Sequence, residues 1–528
     1  MAVPTTIADL STTASSNSPS GNDSPVDGDN FIRALSAILR QEYDDRLAAA
    51  ALLATAATSG AGADLVGFLQ SGSGAVARTI QDKGRDTVSV KDFGAVGDGS
   101  TDDYSAIQAA IDAVYEAGGG EVHFGNDIYA VASTIEVPQR VVLVGHSAGF
   151  INQYVDSESL PKGTAIFLKT GSDTNVILFR CRLTNNGGTL EETTIGGENS
   201  EARHCGGMRN ITVWGNRSTT ANPPTTADLN TSGSGISIQG CRYVSIQDVV
   251  SMYCAQDGLE VISYDYGTGS ISSNNLSLKS ITCLSNAEKG IDASLGDSTL
   301  RDVICGYNGT DGAQIVGSMT WTGGAVWNNL RHGASFLSMS TTSAAVVCGV
   351  SSYDNDQTGF RIGTGRSPAL VGCIARGNGR DTGATSTDRA NFQVSSGAEG
   401  WNLVGCYSYA RDFNSVLITQ YGFRIDNTTY TGSIDGCRSE DCVISDLSVT
   451  DYQNITSHAG AVNAVAHPPL RLSELSATPT TPSADTGMTL YHKDNKLVLQ
   501  FNDGGTTRYK YLDMTGAGVT WVHSTTAP

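Results

Sequence analysis

A glycine followed by a short apolar strand recurs along most of the chain, and this repeat restricts the fold more than any other feature. Successive motifs begin 32, 22, 21, 26, 32 and 31 residues apart, which indicates a base period of 21 to 22 residues with insertions of about ten. Such a period predicts a solenoid with one coil per repeat and loops inserted into some coils. The motifs begin at Gly258, Gly290, Gly312, Gly333, Gly359, Asn391 and Gly422.

The strand after each of these positions alternates between apolar and polar residues. Its first and third residues are mostly apolar and should face the core, so the second residue should face outward. The sequence therefore predicts a mainly β chain whose parallel sheet carries a polar outer row. This outward ladder consists of Glu260, Asp292, Gln314, Ser335, Arg361, Gln393 and Arg424.

Cysteines also recur at similar strand positions in successive coils. They have no zinc-ligand spacing, and we interpret them as reduced thiols packed in the core. These residues are Cys283, Cys305, Cys348, Cys373, Cys406 and Cys437.

A specific motif precedes the repeat. The sequence VSVKDFGAVGDGSTDD starts at Val88, and GGGEVHF starts at Gly118 after a predicted helix from Tyr104 to Ala117. Asp102 can cap this helix, and its apolar side would close the open end of the first coil. Asp98, Asp102 and Asp103 are thus expected to have structural roles. The apolar side consists of Ile107, Ala110, Ile111 and Val114.

This combination resembles the start of the pectate-lyase-like domain of phage tailspikes and polysaccharide-degrading enzymes. One difference is that Phe124-Gly125 stands where the family usually has a proline. The resemblance implies a right-handed parallel β-helix over residues 88–463 that binds and cleaves a polysaccharide.

The first 80 residues differ from the repeat. A polar segment ends at Asp29-Asn30, which should cap an amphipathic helix that starts at Phe31 and continues towards Ala57. Gly/Ser/Ala-rich sequence from Ser59 to Ala77 is typical of a linker. The segment from Asn17 to Leu35 resembles the opening of short phage tail-fibre and tailspike proteins. That resemblance implies a small helical anchor that docks on phage tail or adaptor proteins, a homotrimer, and a place in the virion after synthesis in the host cytoplasm.

The repeat stops after Asn463, and a different module is expected over residues 468–528. The segment from Met488 to Phe501 alternates between apolar and polar residues around Asp494-Asn495, which predicts a β-hairpin. It resembles the small β modules that end many tailspikes, and this implies a role in trimerisation, carbohydrate binding or both.

Net charge and hydropathy exclude several partners. The chain has 33 Lys+Arg against 53 Asp+Glu, a net charge of −20, which disfavours binding to nucleic acid. No apolar stretch approaches the roughly 18 to 20 residues of a membrane span, so we expect no membrane insertion. The N-terminus has no signal-peptide pattern, which predicts folding in a cytosol. No cofactor and no metal site are expected, because no calcium or zinc motif is recognisable.

Glycoside hydrolysis needs one protonated and one ionised carboxyl group. Glu260 and Asp292 occupy the same ladder position in neighbouring coils, so they should lie about 4.8 Å apart along the stack. This spacing is closer to that of retaining than of inverting enzymes, and repulsion between the carboxylates would raise one pKa. Asp257 and Asp311, each next to a repeat glycine, complete the predicted catalytic set.

Other residues are candidates for binding the polysaccharide. The insertion after Glu260 could wall a groove, aromatic rings offer stacking surfaces, and His332 and Arg361 add a basic part. Each candidate also has a simpler interpretation, because surface carboxylates are usually solvated or paired with bases, and the tryptophans and His332 could pack a coil. The predicted binding residues are Tyr264, Asp265, Tyr266, Tyr307, Trp321, Trp327, His332 and Arg361.

Two other functions stay open beside hydrolysis. A lyase would need a uronate substrate, a cation for its carboxylate and a base for the C5 proton, with Arg331, Lys289, His332 or Arg361 as suppliers. A receptor-binding fibre would use the same scaffold only to hold the polysaccharide, since no motif by itself establishes catalysis. A free-living pectin-degrading enzyme is disfavoured by the tail-fibre-like N-terminus.

Overall fold

The computed structural model describes much of the chain between residues 25 and 526. The gaps in the described residues are 60, 65, 150–162, 182–205, 218–229, 266–269, 338–343, 367, 382–387, 411, 414–415, 418, 427–431, 441–444, 450–487, 494–495, 504–505 and 514–519. The chain divides into two compact units, Met1–Val88 and Ser89–Pro528.

The first unit is largely helical. It contains α1 (Pro25–Ser59), a 3₁₀ turn at Ala61–Asp64, the antiparallel pair β1 (Gly67–Phe68) and β2 (Arg78–Thr79), and α2 (Ile80–Gly84). Thr79 caps α2 by accepting a hydrogen bond from the Asp82 backbone N–H. No described helix is both long enough and apolar enough to cross a membrane.

The start of α1 corrects one prediction. The helix begins at Pro25, so Asp29 and Asn30 lie inside it and do not cap it. Proline suits the first turn of a helix, because the backbone N–H that it lacks would have no partner there.

The boundary between the units falls within β3 (Val88–Ser89), and the second unit continues with a 3₁₀ turn at Val90–Phe93, β4 (Asp98–Asp102) and α3 (Tyr104–Glu116). The predicted apolar side of α3 is confirmed, since Ile107, Ala110, Ile111 and Val114 are all buried. The aspartates of the motif bind backbone amides, as expected for structural groups. Asp103 accepts from Val96 and Gly97, Asp98 from Ser100 and Thr101, and Asp102 from Tyr104 and Ala132.

The remaining strands of this unit form the solenoid and a small terminal sheet. In chain order they are β5 (Gly120–His123), β6 (Ile128–Val131), β7 (Ile135–Val137), β8 (Val141–Val144), β9 (Ala165–Leu168), β10 (Ile177–Arg180), β11 (Gly207–Arg209), β12 (Thr212–Trp214), β13 (Ile236–Gln239), β14 (Ser245–Met252), β15 (Leu259–Ile262), β16 (Tyr264–Asp265), β17 (Ser270–Ile271), β18 (Ser277–Leu284), β19 (Ile291–Gly306), β20 (Ala313–Trp327), β21 (Ala334–Phe336), β22 (Ala345–Cys348), β23 (Ser351–Tyr353), β24 (Phe360–Ile362), β25 (Gly365–Arg366), β26 (Ala369–Val371), β27 (Ile374–Arg376), β28 (Ala390–Val394), β29 (Ala398–Glu399), β30 (Asn402–Val404), β31 (Tyr407–Tyr409), β32 (Asp412–Phe413), β33 (Val416–Leu417), β34 (Tyr421–Ile425), β35 (Ser433–Asp435), β36 (Arg438–Glu440), β37 (Ser445–Val449), β38 (Met488–Lys493), β39 (Lys496–Asp503), β40 (Thr506–Asp513) and β41 (Thr520–Ser524).

Parallel pairing between coils arranges the solenoid strands into three faces. Face A comprises β7, β10, β13, β15, β21, β24, β28, β34 and β37; face B comprises β5, β8, β11, β22, β26, β30 and β35; face C comprises β4, β6, β9, β12, β23, β27, β31 and β36. The strands β14 and β18 bend at one corner and contribute to faces B and C. The longer strands β19 and β20 bend at two corners and contribute to all three faces. The chain is therefore a parallel β-helix, as predicted.

The register of the predicted ladder is confirmed on face A, although two of its members, Ser335 and Gln393, are buried. Each of its members is the Cα partner of the next, from Glu260 and Asp292 through to Gln393 and Arg424. The residues on either side of each ladder position face the core. Among them the rings of Phe360, Phe392 and Phe423 stack with centroid separations of 5.2 and 4.8 Å.

Most of the cysteine prediction holds. Cys283 and Cys305 are buried Cα partners, and Cys373, Cys406 and Cys437 are also buried. Cys348 is exposed, which corrects the prediction for that residue. Its Cα partner is Val371, so it lies two residues before the position that Cys373 occupies in the next coil and faces outward.

Buried asparagines connect the coils at the corner between faces C and A. The Oδ1 atoms of Asn308, Asn329, Asn355 and Asn378 each accept from the backbone N–H and the side-chain Nδ2 of the asparagine one coil earlier, at 2.8 to 3.2 Å. At the two ends, Asn286 Oδ1 accepts from the Cys254 backbone N–H, and Asn391 Oδ1 accepts from the N–H and Nδ2 of Asn378, 13 residues before it. The repeat contains a signal for this asparagine ladder that the sequence analysis missed, because an asparagine stands four residues before Gly290, Gly312, Gly333 and Gly359. The ladder consists of Asn286, Asn308, Asn329, Asn355, Asn378 and Asn391.

The small terminal sheet is an antiparallel meander of β38 to β41. The predicted hairpin is confirmed by the pairing of β38 with β39, from Met488 opposite Phe501 to Lys493 opposite Lys496. Tyr491, Val498 and Tyr509 form its core. The predicted turn residues Asp494 and Asn495 lie outside the described residues.

Candidate functional site

Acidic and basic side chains meet on face A where β15 and the start of β19 lie side by side. Glu260 on β15 is the Cα partner of Ser237 on one side and of Asp292 on the other. Asp292 in turn faces Gln314 in the following coil. The predicted carboxyl pair is therefore adjacent in the sheet.

Hydrogen bonds orient these two carboxyls in opposite directions. Glu260 Oε2 accepts from the Ser237 hydroxyl at 2.7 Å, whereas Asp292 Oδ1 accepts from Gln314 Nε2 at 3.2 Å. The ammonium of Lys289 binds Asp292 Oδ2 at 2.8 Å. Ser237 and Gln314 lie on opposite flanks of the pair, so each carboxyl has its own hydrogen-bond donor on the side away from the other carboxyl.

The carboxyl with a raised pKa at this site is that of Asp257. Asp257 is 5% exposed, and burial raises its pKa to about 7 even though Lys289 opposes the shift. The nearby charge of Asp292 adds to the rise. Asp257 Oδ1 accepts from the backbone N–H of Lys289 at 2.8 Å, so Lys289 contacts both Asp257 and Asp292.

Asp311, a member of the predicted catalytic set, is held between neighbouring coils by hydrogen bonds. Its side chain is fully buried, accepts two hydrogen bonds from the Arg331 guanidinium at 2.7 and 2.8 Å, and accepts a third from the His332 backbone. Burial opposes its ionisation, but the hydrogen bonds and the charge of Arg331 outweigh burial and lower its pKa. The structure therefore places Asp311 in a coil-to-coil connection and not on a surface open to substrate.

His332 is also buried, with 2% of its surface exposed. Its Nδ1 accepts from the Thr358 backbone N–H at 3.2 Å, and its Nε2 lies 3.5 Å from Nη1 of Arg361. Burial lowers the pKa of His332 to about 4, with Asp311 opposing the shift and Arg361 and Arg331 adding to it. His332 is thus neutral near pH 7, in keeping with the structural interpretation.

The structure does not bring the predicted aromatic residues together on face A. Trp321 is fully buried, packs near Phe336 and donates from Nε1 to the Gly323 carbonyl, so its ring is not available for stacking on a sugar. Tyr307 is 9% exposed and meets Trp327 edge to face. Trp327 lies at the face C end of β20, where its ring stacks on Tyr353.

The predicted groove wall after β15 is described only in part. Tyr264 lies on the short strand β16, and the guanidinium of Arg180 stands 5.5 Å from its ring centroid. Tyr266 and the side chain of Asp265 lie outside the described residues.

Ser237 and Gln314 are site residues to which the sequence analysis gave no role. Ser237 had a detectable signal, because Gly235-Ile236-Ser237-Ile238 has the repeat pattern 23 residues before Gly258. The described residues contain no group of three or more His, Cys, Asp or Glu side chains that could hold a metal ion.

Asp257 and His332 should affect stability in opposite directions as pH changes. The pKa of Asp257 is 3.8 in the unfolded chain and about 7 in the folded one, so its contribution to stability is complete below 3.8 and is lost as pH rises to 7. The pKa of His332 is 6.5 unfolded and about 4 folded, so its contribution is complete above 6.5 and is lost as pH falls to 4. At about 1.4 kcal/mol per unit of pKa, the contribution of Asp257 is roughly 4 to 5 kcal/mol and that of His332 roughly 3 to 4 kcal/mol, and their opposite pH dependences largely cancel between pH 4 and 6.5.

Single substitutions should reveal these opposing contributions. With Asp257→Asn, the free energy of unfolding should increase between pH 4 and 6.5, and with His332→Asn it should decrease over the same interval. Urea unfolding at several pH values and constant ionic strength measures both slopes. Parallel pH profiles for the two variants would contradict the assignment.

Comparisons with known proteins agree with this fold. Residues 87–361 match the family described as rhamnogalacturonase A/epimerase, pectate lyase-like. The mannuronan C5-epimerase AlgE4 of Azotobacter vinelandii is 34% identical over 132 residues, which cover 25% of this chain and 20% of that protein. The tail spike protein of Shigella phage Sf6 is 38% identical over 115 residues, 21% of this chain and 18% of that protein. The matches thus span a fifth or less of these two relatives.

A solved structure, tailspike protein 3 of bacteriophage CBA120, matches with a TM-score of 0.40 and 14% identity over 91% of this chain and 76% of that one. The family match covers just over half of the 528 residues and includes the motif at Val88, α3 and the coils that carry Glu260, Asp292 and Arg361. The chain therefore belongs to the rhamnogalacturonase A/epimerase, pectate lyase-like family.

Proposed function

We propose that this protein is a phage tailspike that binds a bacterial surface polysaccharide, a capsule or an O-antigen, along face A and hydrolyses it during adsorption to the host. The proposal rests on the contacts of Lys289 with two carboxyl groups, one with a raised pKa and one paired with its ammonium. Its backbone N–H binds Asp257, whose pKa is raised to about 7, and its ammonium binds Asp292. A proton donor and an ionised carboxylate side by side are what glycoside hydrolysis requires.

In this proposal Asp257 is the general acid. Its Oδ1 accepts from the Lys289 N–H, so the proton resides on Oδ2 and passes to the glycosidic oxygen as the bond to the anomeric carbon breaks. Asp292, paired with the Lys289 ammonium, accepts a proton from the water that attacks the same carbon. Glu260 Oε2 accepts from Ser237, and Oε1 is left to bind a sugar hydroxyl.

Relatives support the virion location. The matched proteins include a tail spike protein of Shigella phage Sf6 and a pre-neck appendage protein of Bacillus phage B103. By analogy, residues 1–80 would bind phage tail or adaptor proteins, residues 88–463 would bind and cleave the polysaccharide, and residues 468–528 would support a homotrimer or bind carbohydrate.

Elimination is the second candidate mechanism, because other relatives are an alginate lyase and mannuronan C5-epimerases. It would need a base for the C5 proton and a cation beside the uronate carboxylate. Arg331 is engaged by Asp311, His332 is buried, and Lys289 is paired with Asp292. These engagements leave Arg361 as the cation for a lyase and favour hydrolysis over elimination.

The products distinguish these candidates. Purified protein is incubated with capsule and O-antigen preparations, and product mass and ultraviolet absorbance are followed together. We expect oligosaccharides heavier by one water per cleavage and no new absorbance. Products with an unsaturated uronate chromophore would show that the reaction is elimination and not hydrolysis. A polysaccharide that binds but stays intact would show that the protein is a receptor-binding fibre.

A further inference from the structure

Flat side chains follow one another along the outer surface of face C. Trp327, Tyr353, Arg376 and Tyr409 are half-buried, and each is the Cα partner of the next. They therefore form one outer row, here named the face C strip, which extends roughly 14 Å at about 4.8 Å per coil. The residue before each member is buried and faces the core; these residues are Val326, Ser352, Ala375 and Ser408.

Contacts between coils hold the rings of the strip in place. The six-membered ring of the Trp327 indole lies over Gly306, where a Cβ would come within 2.9 to 3.1 Å of three ring atoms. The rings of Trp327 and Tyr353 are within 4° of parallel, and their centroids are 6.1 Å apart. This separation is too large for direct face-to-face contact, which needs about 3.5 to 4 Å, so the two rings do not cover each other.

Arg376 connects the two tyrosines of the strip. Its guanidinium carbon lies 4.8 Å from the centroid of the Tyr353 ring, and its Nη1 donates to the Tyr409 hydroxyl at 3.3 Å. The strip thus presents ring surfaces beside polar groups that donate and accept hydrogen bonds. A pyranose has the complementary pattern, because its C–H face is apolar and hydroxyl groups surround its rim.

The same outer row has a different character in the preceding coils, where other parts of the chain cover it. Trp214, Met252 and Leu284 are only 5%, 1% and 3% exposed, and Ala148 packs against their cluster. The row becomes accessible to solvent at Trp327. From there on it carries rings and a guanidinium in place of aliphatic side chains, which suits a ligand that is itself apolar on one side and polar at its edge.

We propose that the face C strip is a second polysaccharide-binding site, which holds pyranose rings by stacking and does not cleave the polymer. Its four residues include no carboxyl group, so it supplies neither the acid nor the ionised carboxylate that hydrolysis needs. Because Arg376 already contacts Tyr353 and Tyr409, the strip selects the shape of the sugar more than its charge. The inference rests on the proposed function for its ligand class. A polymer held on faces A and C at once would bind more tightly than on either face alone.

Calorimetric titration tests the second site. The protein is the cleavage-deficient variant Asp292→Asn, and the probe is an oligosaccharide made by partial acid hydrolysis of the capsule or O-antigen preparation that the protein binds. We expect two oligosaccharides per chain, and only one after Tyr353→Ala and Tyr409→Ala are introduced together. Affinity for the intact polymer should then fall about a hundredfold.

Two further variants control for damage to the fold. Arg376→Gln keeps both rings and should weaken the second site severalfold, and thermal melting followed by circular dichroism checks that each variant is folded. Tyr115→Ala also removes a half-buried tyrosine with an arginine beside its ring, since Arg140 lies 5.9 Å from the centroid, but on α3. It should leave both oligosaccharides bound.

The outcomes separate this inference from the proposed function. Unchanged number and affinity of bound oligosaccharides in the folded double tyrosine variant would overturn the second site and leave the hydrolase intact. The same result together with dissociation of an oligomer would assign the strip to contact between copies of the chain. Two sites per chain on a polymer that the native protein does not cleave would support the strip and overturn the hydrolase. Absence of binding to every preparation would overturn both.

Discussion

Replacing Asp292 by asparagine is expected to lower kcat for polysaccharide cleavage about a thousandfold, within the range that positioned general acids and bases contribute. Asparagine has nearly the same volume and keeps an oxygen for the hydrogen bond from Gln314 or the ammonium of Lys289. It cannot accept a proton from water at neutral pH, so the loss should fall on kcat with little change in KM. Initial rates of reducing-end release at several substrate concentrations give both constants.

Controls on the same strand and coil make this result specific. Asp297→Asn also removes one carboxylate from β19, at an exposed residue with a φ of 46° that asparagine tolerates, and should retain full activity. Glu260→Gln should cost about tenfold, because Glu260 is assigned to a sugar hydroxyl. Full activity of Asp292→Asn would refute the site.

Asp257→Asn should lower kcat about as much as Asp292→Asn does, and kcat of the double variant should be little lower than that of either single variant. Residues that act in one step are not additive, since either substitution alone stops the proton transfer. The pH profile offers an independent check. Activity of the native protein should fall above about pH 7 as Asp257 loses its proton, because an ionised carboxyl cannot act as the acid.

The regular repeat of the coils explains why the ladder could be predicted from the sequence. Each coil of a parallel β-helix repeats the register of the one before it. Aligning the strands by their glycines was therefore enough to place Glu260 beside Asp292, and Arg361 further along the same ladder. The same logic failed for Cys348, because a spacing of 25 residues to Cys373 hid a shift of two positions within the coil.

The directions of side chains could not be predicted from the repeat. Asp257 and Asp311 occupy equivalent places before their glycines, yet one has a raised pKa and the other a lowered one. The difference comes from Arg331, which reaches Asp311 from the next coil, and no spacing in the sequence specifies that contact. Trp321 illustrates the same limit, because burial of its ring depends on how β20 bends between faces A and C.

Asn329→Ala should be among the most destabilising single substitutions in the solenoid, lowering the free energy of unfolding by on the order of 5 kcal/mol. Asn329 is fully buried and makes four hydrogen bonds. Its Oδ1 accepts from the N–H and Nδ2 of Asn308, and its Nδ2 donates to the Cys305 carbonyl and to Asn355 Oδ1. Alanine would leave two buried donors and one buried carbonyl without partners.

The loss in free energy of unfolding should depend on where the substituted residue lies in the asparagine ladder. Asn286 lies at its first coil, where Cys254 contributes only a backbone N–H, so Asn286→Ala loses one acceptor bond fewer and should cost less than Asn329→Ala. Asn402→Ala, at an exposed position on β30, is the matched control and should change stability by less than about 1 kcal/mol. Urea unfolding followed by circular dichroism measures all three variants. If Asn329→Ala were as stable as Asn402→Ala, the buried amides would contribute no more than surface groups, and the coils would depend on their apolar core and backbone pairing alone.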